Sequence, residues 1–338
     1  MEIERKAFLE VLEKVRPGLS PDATIEQSDC FVFQNGKAYT FDDEIACSCD
    51  CKVEFEGAVK AKPFLELLQK LPDEVLKVEV AENELIVRGN RRKSGIRMEH
   101  EILLAVNEIE WPGKGDWTKL PDDFNEAAEV VRQCVSKEEG AFALTCVHVH
   151  PKFLESCDNS QACRYPLRTG FSNPVLIRSR AILHVGSLSV TEVSVGESWV
   201  HFRNDSGLII SCRKYSEDFP DLSEILKTNG SQVQLPEGLE AAAEMARIFS
   251  RDNVENDSVE IQLVGNKLKL RGEGPQGWHT ETKSIEYSGP DLAFRISPNL
   301  LKSVLARSRE CILARTRLWI DAGKFMYVTA LLARTEET

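Results

Sequence analysis

The chain has 338 residues, 42% hydrophobic and 28% charged, with a formal net charge of −12 and ten cysteines. No apolar run approaches the roughly 20 residues a membrane helix needs, and Met1-Glu-Ile-Glu-Arg-Lys6 is no signal peptide, so a cytoplasmic protein without a membrane partner is expected. The acidic balance argues against a simple nucleic-acid coat, which gains affinity by neutralising phosphates, and cysteines set mostly in apolar or alternating stretches read as reduced thiols.

In chain order, residues 8–15 (FLEVLEKV) have helical periodicity. Strands follow at 30–33 and 37–41 around the turn Gln34-Asn35-Gly36. The cluster Asp42-Asp43-Glu44 comes next, a pattern that more often marks a turn than a metal site, and Cys47, Cys49 and Cys51 alternate after it. A second helical stretch covers 63–71 (PFLELLQKL), followed by strands at 77–80 and 85–88 and a turn-rich joint at 111–116 (WPGKGD). The pattern then recurs. Helical stretches fall at 124–131 and 180–188, with a hairpin at 193–195 and 199–202 and a joint at 227–231 (KTNGS). They fall again at 239–246 and 298–305, with a hairpin at 259–264 and 267–270.

The first helices start at 8, 124 and 239, intervals of 116 and 115 residues; the second start at 63, 180 and 298, intervals of 117 and 118. A segment of that length can bury its own core. The expected fold class is therefore α+β, with three tandem domains at 1–115, 116–228 and 229–338, each carrying helices on one face of an antiparallel sheet.

The helical stretches or their edges carry Arg5, Lys6, Lys14, Arg16, Lys60, Lys62, Lys70, Arg132, Arg178, Arg180, Arg247, Arg251, Lys302, Arg307 and Arg309. Glu10, Glu13 and Glu66 share them, so the sorting of cations is a bias and not a clean stripe. Cys47, Cys49 and Cys51, like Cys146, His148 and His150, fall at alternate positions of a strand. Such side chains project about 7 Å apart and do not converge on one ion, so buried thiols are the better reading and no metal is expected. Phosphate-binding Gly loops, nucleophile elbows and zinc-protease motifs are absent.

The third copy, with Leu268-Lys-Leu-Arg271, Ile285-Glu-Tyr-Ser-Gly289 and Phe294-Arg-Ile-Ser297, resembles the bacterial DNA sliding clamp, the beta subunit of the replicative polymerase (DNA polymerase III). Tyr215-Ser-Glu-Asp-Phe-Pro-Asp-Leu222 and Met326-Tyr-Val-Thr-Ala-Leu-Leu332 are similar to that family's motif closing the second domain and to its apolar tail. The resemblance implies three DNA-clamp domains per chain and a head-to-tail homodimer closing a six-domain ring around duplex DNA, held without base reading. Its implied partners are DNA polymerase, the clamp loader and other clamp-motif proteins; it implies no cofactor and no catalysis. Carried over residue by residue, it places Cys157, Asn159, Ala162, Pro220, Ile225, Val328, Ala330, Leu331 and Leu332 around a peptide-binding groove. It places Arg5, Lys62, Arg178, Arg180, Arg247, Arg307 and Arg309 toward DNA, and pairs Ile96 and Met98 with Ile248 and Phe249 across the dimer interface. Where the family carries Gly-His-Arg after an aspartate, this chain has Asn159-Ser-Gln161, which marks a divergent or phage-encoded member with altered peptide specificity. The other readings left open are a clamp-like peptide adaptor without a ring and a metal-dependent nucleic-acid enzyme using Asp42, Asp43 and Glu44.

Overall fold

A computed structural model of the chain describes residues 1–20, 22, 24–227, 229–250 and 258–333. Six helices of eight or more residues are present among them: α1 Arg5–Val15, α2 Ala61–Lys70, α3 Phe124–Val131, α4 Ser179–Ser187, α5 Leu239–Ser250 and α6 Pro298–Arg307. Each buries one stripe. Phe8, Leu12 and Val15 do so in α1, Phe64, Leu65 and Leu68 in α2, and Phe124, Ala127, Ala128 and Val131 in α3, the spacing of three and four that one helix face requires. In α6, Pro298 occupies the first turn, where its missing N–H costs nothing. None of the described helices is long and apolar enough to cross a membrane.

The chain forms two compact units. The first comprises Met1–Arg132, Thr145–Leu154 and Leu167–Glu217. Its antiparallel sheet has twelve strands, running from Glu2–Glu4 at one edge to Thr118–Lys119 at the other. At the middle seam Ile45–Asp50 pairs with Leu208–Arg213, Ile45 opposite Cys212 and Cys49 opposite Leu208, so strands of the first and second sequence repeats share one ladder. The seam is reinforced by charge. Asp42 pairs with Arg180, Asp43 with Arg213, and Glu44 lies 3.3 Å from Arg178 and 3.4 Å from Arg180.

Aromatic side chains fill this unit's core in two groups. Phe8 lies 6.1 Å from Phe33 and 5.9 Å from Phe64 between ring centroids, and Phe124 lies 5.9 Å from Phe202 and 6.4 Å from Phe171. On strand Trp199–Arg203 the side chains alternate, so Phe202 joins the helical side while Trp199 joins a second cluster with Val32, Phe41, Leu104, Val106 and Ile109, against which Trp111 packs.

The second unit comprises Gln133–Leu144, Glu155–Pro166 and Asp218–Thr338. Strand Gln161–Pro166 pairs with Met326–Ala330, and the ladder continues through Arg317–Asp321 and Glu310–Leu313 to Ser231–Gln234. A five-stranded sheet in the order Gly277–Ser284, Lys267–Gly274, Val259–Val264, Leu292–Ile296 and Leu332–Ala333 completes it. Helix α5 lies so close to Lys267–Gly274 that a Cβ on Gly272 would come within 2.0 Å of the Ala246 carbonyl oxygen, and only glycine fits there.

Met98, expected on an exposed interface, is 2% exposed within the chain: strand Arg92–Glu99 sets it opposite Val59, and its side chain fills the space beside Gly57. Ile96 is half-buried, Phe249 likewise, and Ile248 is 61% exposed.

Candidate peptide-binding groove

The groove is built on the ladder of the second unit. Ala162 and Val328 are directly opposite on neighbouring strands, and with Cys157, Leu222 and Leu226 they form a buried apolar floor against which Trp319 and Met326 pack. Burial raises the Cys157 thiol to about 12, helped by the charges of Glu155 and Asp158, so it acts as a small neutral filler.

One wall is a tight turn. Asp158 Oδ1 accepts the backbone N–H groups of Ser160 at 2.6 Å and Gln161 at 2.9 Å, and Oδ2 accepts from Gln161 Nε2 at 3.0 Å. Gln161 Oε1 in turn accepts the Tyr327 hydroxyl at 2.9 Å, so the turn is held from below and Asn159 is left exposed at its tip. The opposite wall is Ile225, 38% exposed, whose carbonyl oxygen accepts from Arg317 Nη1 at 3.3 Å. Between them lies a cavity of about 330 Å³ also lined by Thr316, Arg317, Val328 and Ala330. An apolar floor, one exposed aliphatic wall and a polar, cationic rim suit a short peptide with an apolar anchor.

Of the residues expected at such a groove, Asn159, Ala162, Ile225, Val328 and Ala330 line the cavity and Cys157 supports it. Pro220 is exposed and does not line it. Leu331 is 5% exposed and its N–H bonds the Thr316 carbonyl at 2.8 Å; Leu332 lies opposite Arg295 in the five-stranded sheet. Thr316, Arg317, Asp158 and Gln161 were not expected. Thr316 and Arg317 lie more than 150 residues along the chain from the Asp158 turn, and no local pattern singles them out; only the strand register brings them to the cavity.

The cations expected to face DNA have varied surroundings. Lys62 is exposed and has no ion pair among the described residues. Arg5 donates to the Leu68 carbonyl at 3.0 Å and the Asp73 carbonyl at 2.9 Å, closing the end of α2. Arg178 is 16% exposed and also bonds Thr145, while Arg180 keeps 43% of its side chain exposed. Arg307 stacks 4.4 Å from the Tyr327 ring centroid and bonds Gln133 at 3.2 Å; Arg309 pairs with Glu237 at 2.8 Å. Arg247 is half-buried, and Arg251 lies outside the described residues. The guanidinium groups around Asp42, Asp43 and Glu44 take the place a metal would need, and no metal-binding group of three His, Cys, Asp or Glu occurs among the described residues.

No protein-family model and no curated protein sequence matches the chain. Solved structures do. The DNA polymerase sliding clamp from Pseudomonas aeruginosa is 17% identical with a TM-score of 0.83, covering 99% of each chain. The sliding clamp from Bacillus subtilis is 15% identical with a TM-score of 0.83, and the DNA polymerase III beta chain from Streptococcus pneumoniae is 17% identical with a TM-score of 0.85, each again covering 99% of both chains. The fold of this chain, across 99% of its length, is that of the bacterial DNA sliding clamps.

Proposed function

We propose that the chain is a DNA polymerase processivity factor: a homodimeric ring of three clamp domains per protomer that encircles duplex DNA and tethers polymerase, clamp loader and other clamp-motif proteins through the groove. The observation that carries this reading is the end-to-end match of fold at TM-scores of 0.83 to 0.85, since retention by topology needs the whole architecture and not a single motif. The groove adds to it, because tethering needs a recognition site that leaves the rest of the chain free. A second copy has a surface to cover. Ile248 and Trp278 are each 61% exposed and Met245 50%, with the Phe249 ring against Gly277 beside them, an apolar group that a monomer leaves in water.

The test is solution mass followed by retention on DNA. A dimer that stays on nicked circular duplex but runs off the same duplex when linearised supports the ring. Ile248→Asp should give monomers, since it sets a charge where apolar surface is buried. A wild-type chain monomeric at micromolar concentration that still binds clamp-motif peptide would make it an adaptor, and divalent-metal-dependent cleavage of DNA would make it an enzyme.

A further inference from the structure

The first unit holds an open cavity of about 820 Å³ that the clamp reading does not use, more than twice the volume of the peptide groove. Its wall contains His201, which is 1% exposed. Nδ1 of this imidazole lies 2.7 Å from Ser211 Oγ, whereas Nε2 is buried with no hydrogen-bond partner. A buried imidazole nitrogen left unpaired is costly, and its neighbourhood shows why it is open. Position 196 is glycine, and a Cβ there would stand 3.5 Å from Nε2 and 3.7 Å from Glu110 Oε2.

Two further groups face the same space. Lys214 Nζ donates to the Gly196 carbonyl oxygen at 2.9 Å and has no carboxylate within ion-pairing distance among the described residues. Trp111 is fixed by its Nε1 donating to the Val106 carbonyl at 3.0 Å and by ring contacts with Tyr39 and His201 at 5.8 and 6.2 Å. An immobilised indole suits a planar ring, an unpaired imidazole nitrogen suits one hydrogen bond at a ring edge, and an ammonium bonded only to a carbonyl oxygen suits one anionic group. Glu110 at the rim suits a hydroxyl donor.

We infer that this cavity is a binding site for a nucleoside monophosphate, with the base against Trp111 and His201, the sugar hydroxyls toward Glu110 and the phosphate on Lys214. The cavity shares no lining residue with the peptide groove, and the assignment does not depend on the clamp reading.

Titration calorimetry of the full chain with AMP, dAMP, CMP and adenosine tests it. At least one monophosphate should saturate one site per chain below about 1 mM, a volume in this range being ample for a drug-sized ligand. Lys214→Gln should weaken the monophosphate roughly tenfold while leaving adenosine unchanged, because adenosine has no phosphate for the ammonium to bind. Gly196→Val, which fills the space beside Nε2, should weaken both; Lys214 is half-buried and not in the core, so Lys214→Gln serves even where the valine variant melts early. Clamp-motif peptide affinity should stay the same in both variants. Absence of saturable binding by all four probes, or monophosphate binding unaffected by Lys214→Gln, overturns the assignment.

Discussion

Replacing Ile225 by alanine tests the groove with little disturbance to the fold. The side chain is 38% exposed at the cavity wall, so on the order of 60 Å² of apolar surface is available to a ligand, worth ~1.5 kcal/mol at ~25 cal/mol/Å². Covering that surface with a peptide side chain should therefore contribute about a factor of ten in affinity. The fold pays little for the change. The contact that ties this residue to Arg317 uses the Ile225 carbonyl oxygen, which alanine retains, and the buried floor of Ala162, Leu222, Leu226 and Val328 is untouched. Calorimetry with a short clamp-motif peptide should show about tenfold weaker binding, and thermal melting should be within a few degrees of wild type. Leu222→Ala is the contrasting control: at 2% exposure it should cost ~2–4 kcal/mol of stability as well as affinity. An Ile225→Ala chain that melts like wild type and binds the peptide equally well would show that the anchor does not sit in this cavity.

Among the cations, Lys62→Gln should leave melting unchanged and reduce the salt slope of direct DNA binding by about one unit, whereas Arg178→Gln should destabilise by ~1–3 kcal/mol because it removes a largely buried guanidinium that bonds both Glu44 and Thr145; parallel melts and salt titrations separate the two. Burial lowers the His201 imidazole from 6.5 to about 4. Above the upper value it is neutral in both states. As pH falls from 6.5 toward about 4 the unfolded chain takes up a proton that the folded chain refuses, so stability should drop by roughly 3 kcal/mol over that window; denaturant titrations of wild type against His201→Phe should isolate this drop as the difference in their pH profiles. Burial pushes the thiols of Cys30, Cys47, Cys157 and Cys311 to about 12, so an aromatic disulfide reagent at pH 8 should label the native chain slowly, Cys51 first as the half-buried thiol, and all ten only after unfolding.

Sequence periodicity alone determined the helices and the hairpins. The apolar spacing in Phe8, Leu12 and Val15 and the alternation around Gly265-Asn266 are local patterns, and the structure has α1 and the Val259–Val264 and Lys267–Gly274 hairpin where they predict them. The acidic run Asp42 to Glu44 was legible as a turn for the same reason: Asp42 Oδ1 caps the backbone N–H of Glu44 at 3.1 Å and of Ile45 at 2.8 Å. Tertiary structure decided what those groups do. That the same carboxylates bind Arg178, Arg180 and Arg213 follows from the ladder between Ile45–Asp50 and Leu208–Arg213, whose partners are some 160 residues apart, and no local pattern encodes a partner at that distance. The resemblance places Met98 at an interface between copies, and pairing with Val59 buries it within the chain. The groove divides in the same way. Ala162, Ile225 and Val328 could be placed through the family resemblance, but Arg317 enters only through the register of Arg317–Asp321 on Met326–Ala330, because a strand's neighbours are set by pairing and not by sequence proximity.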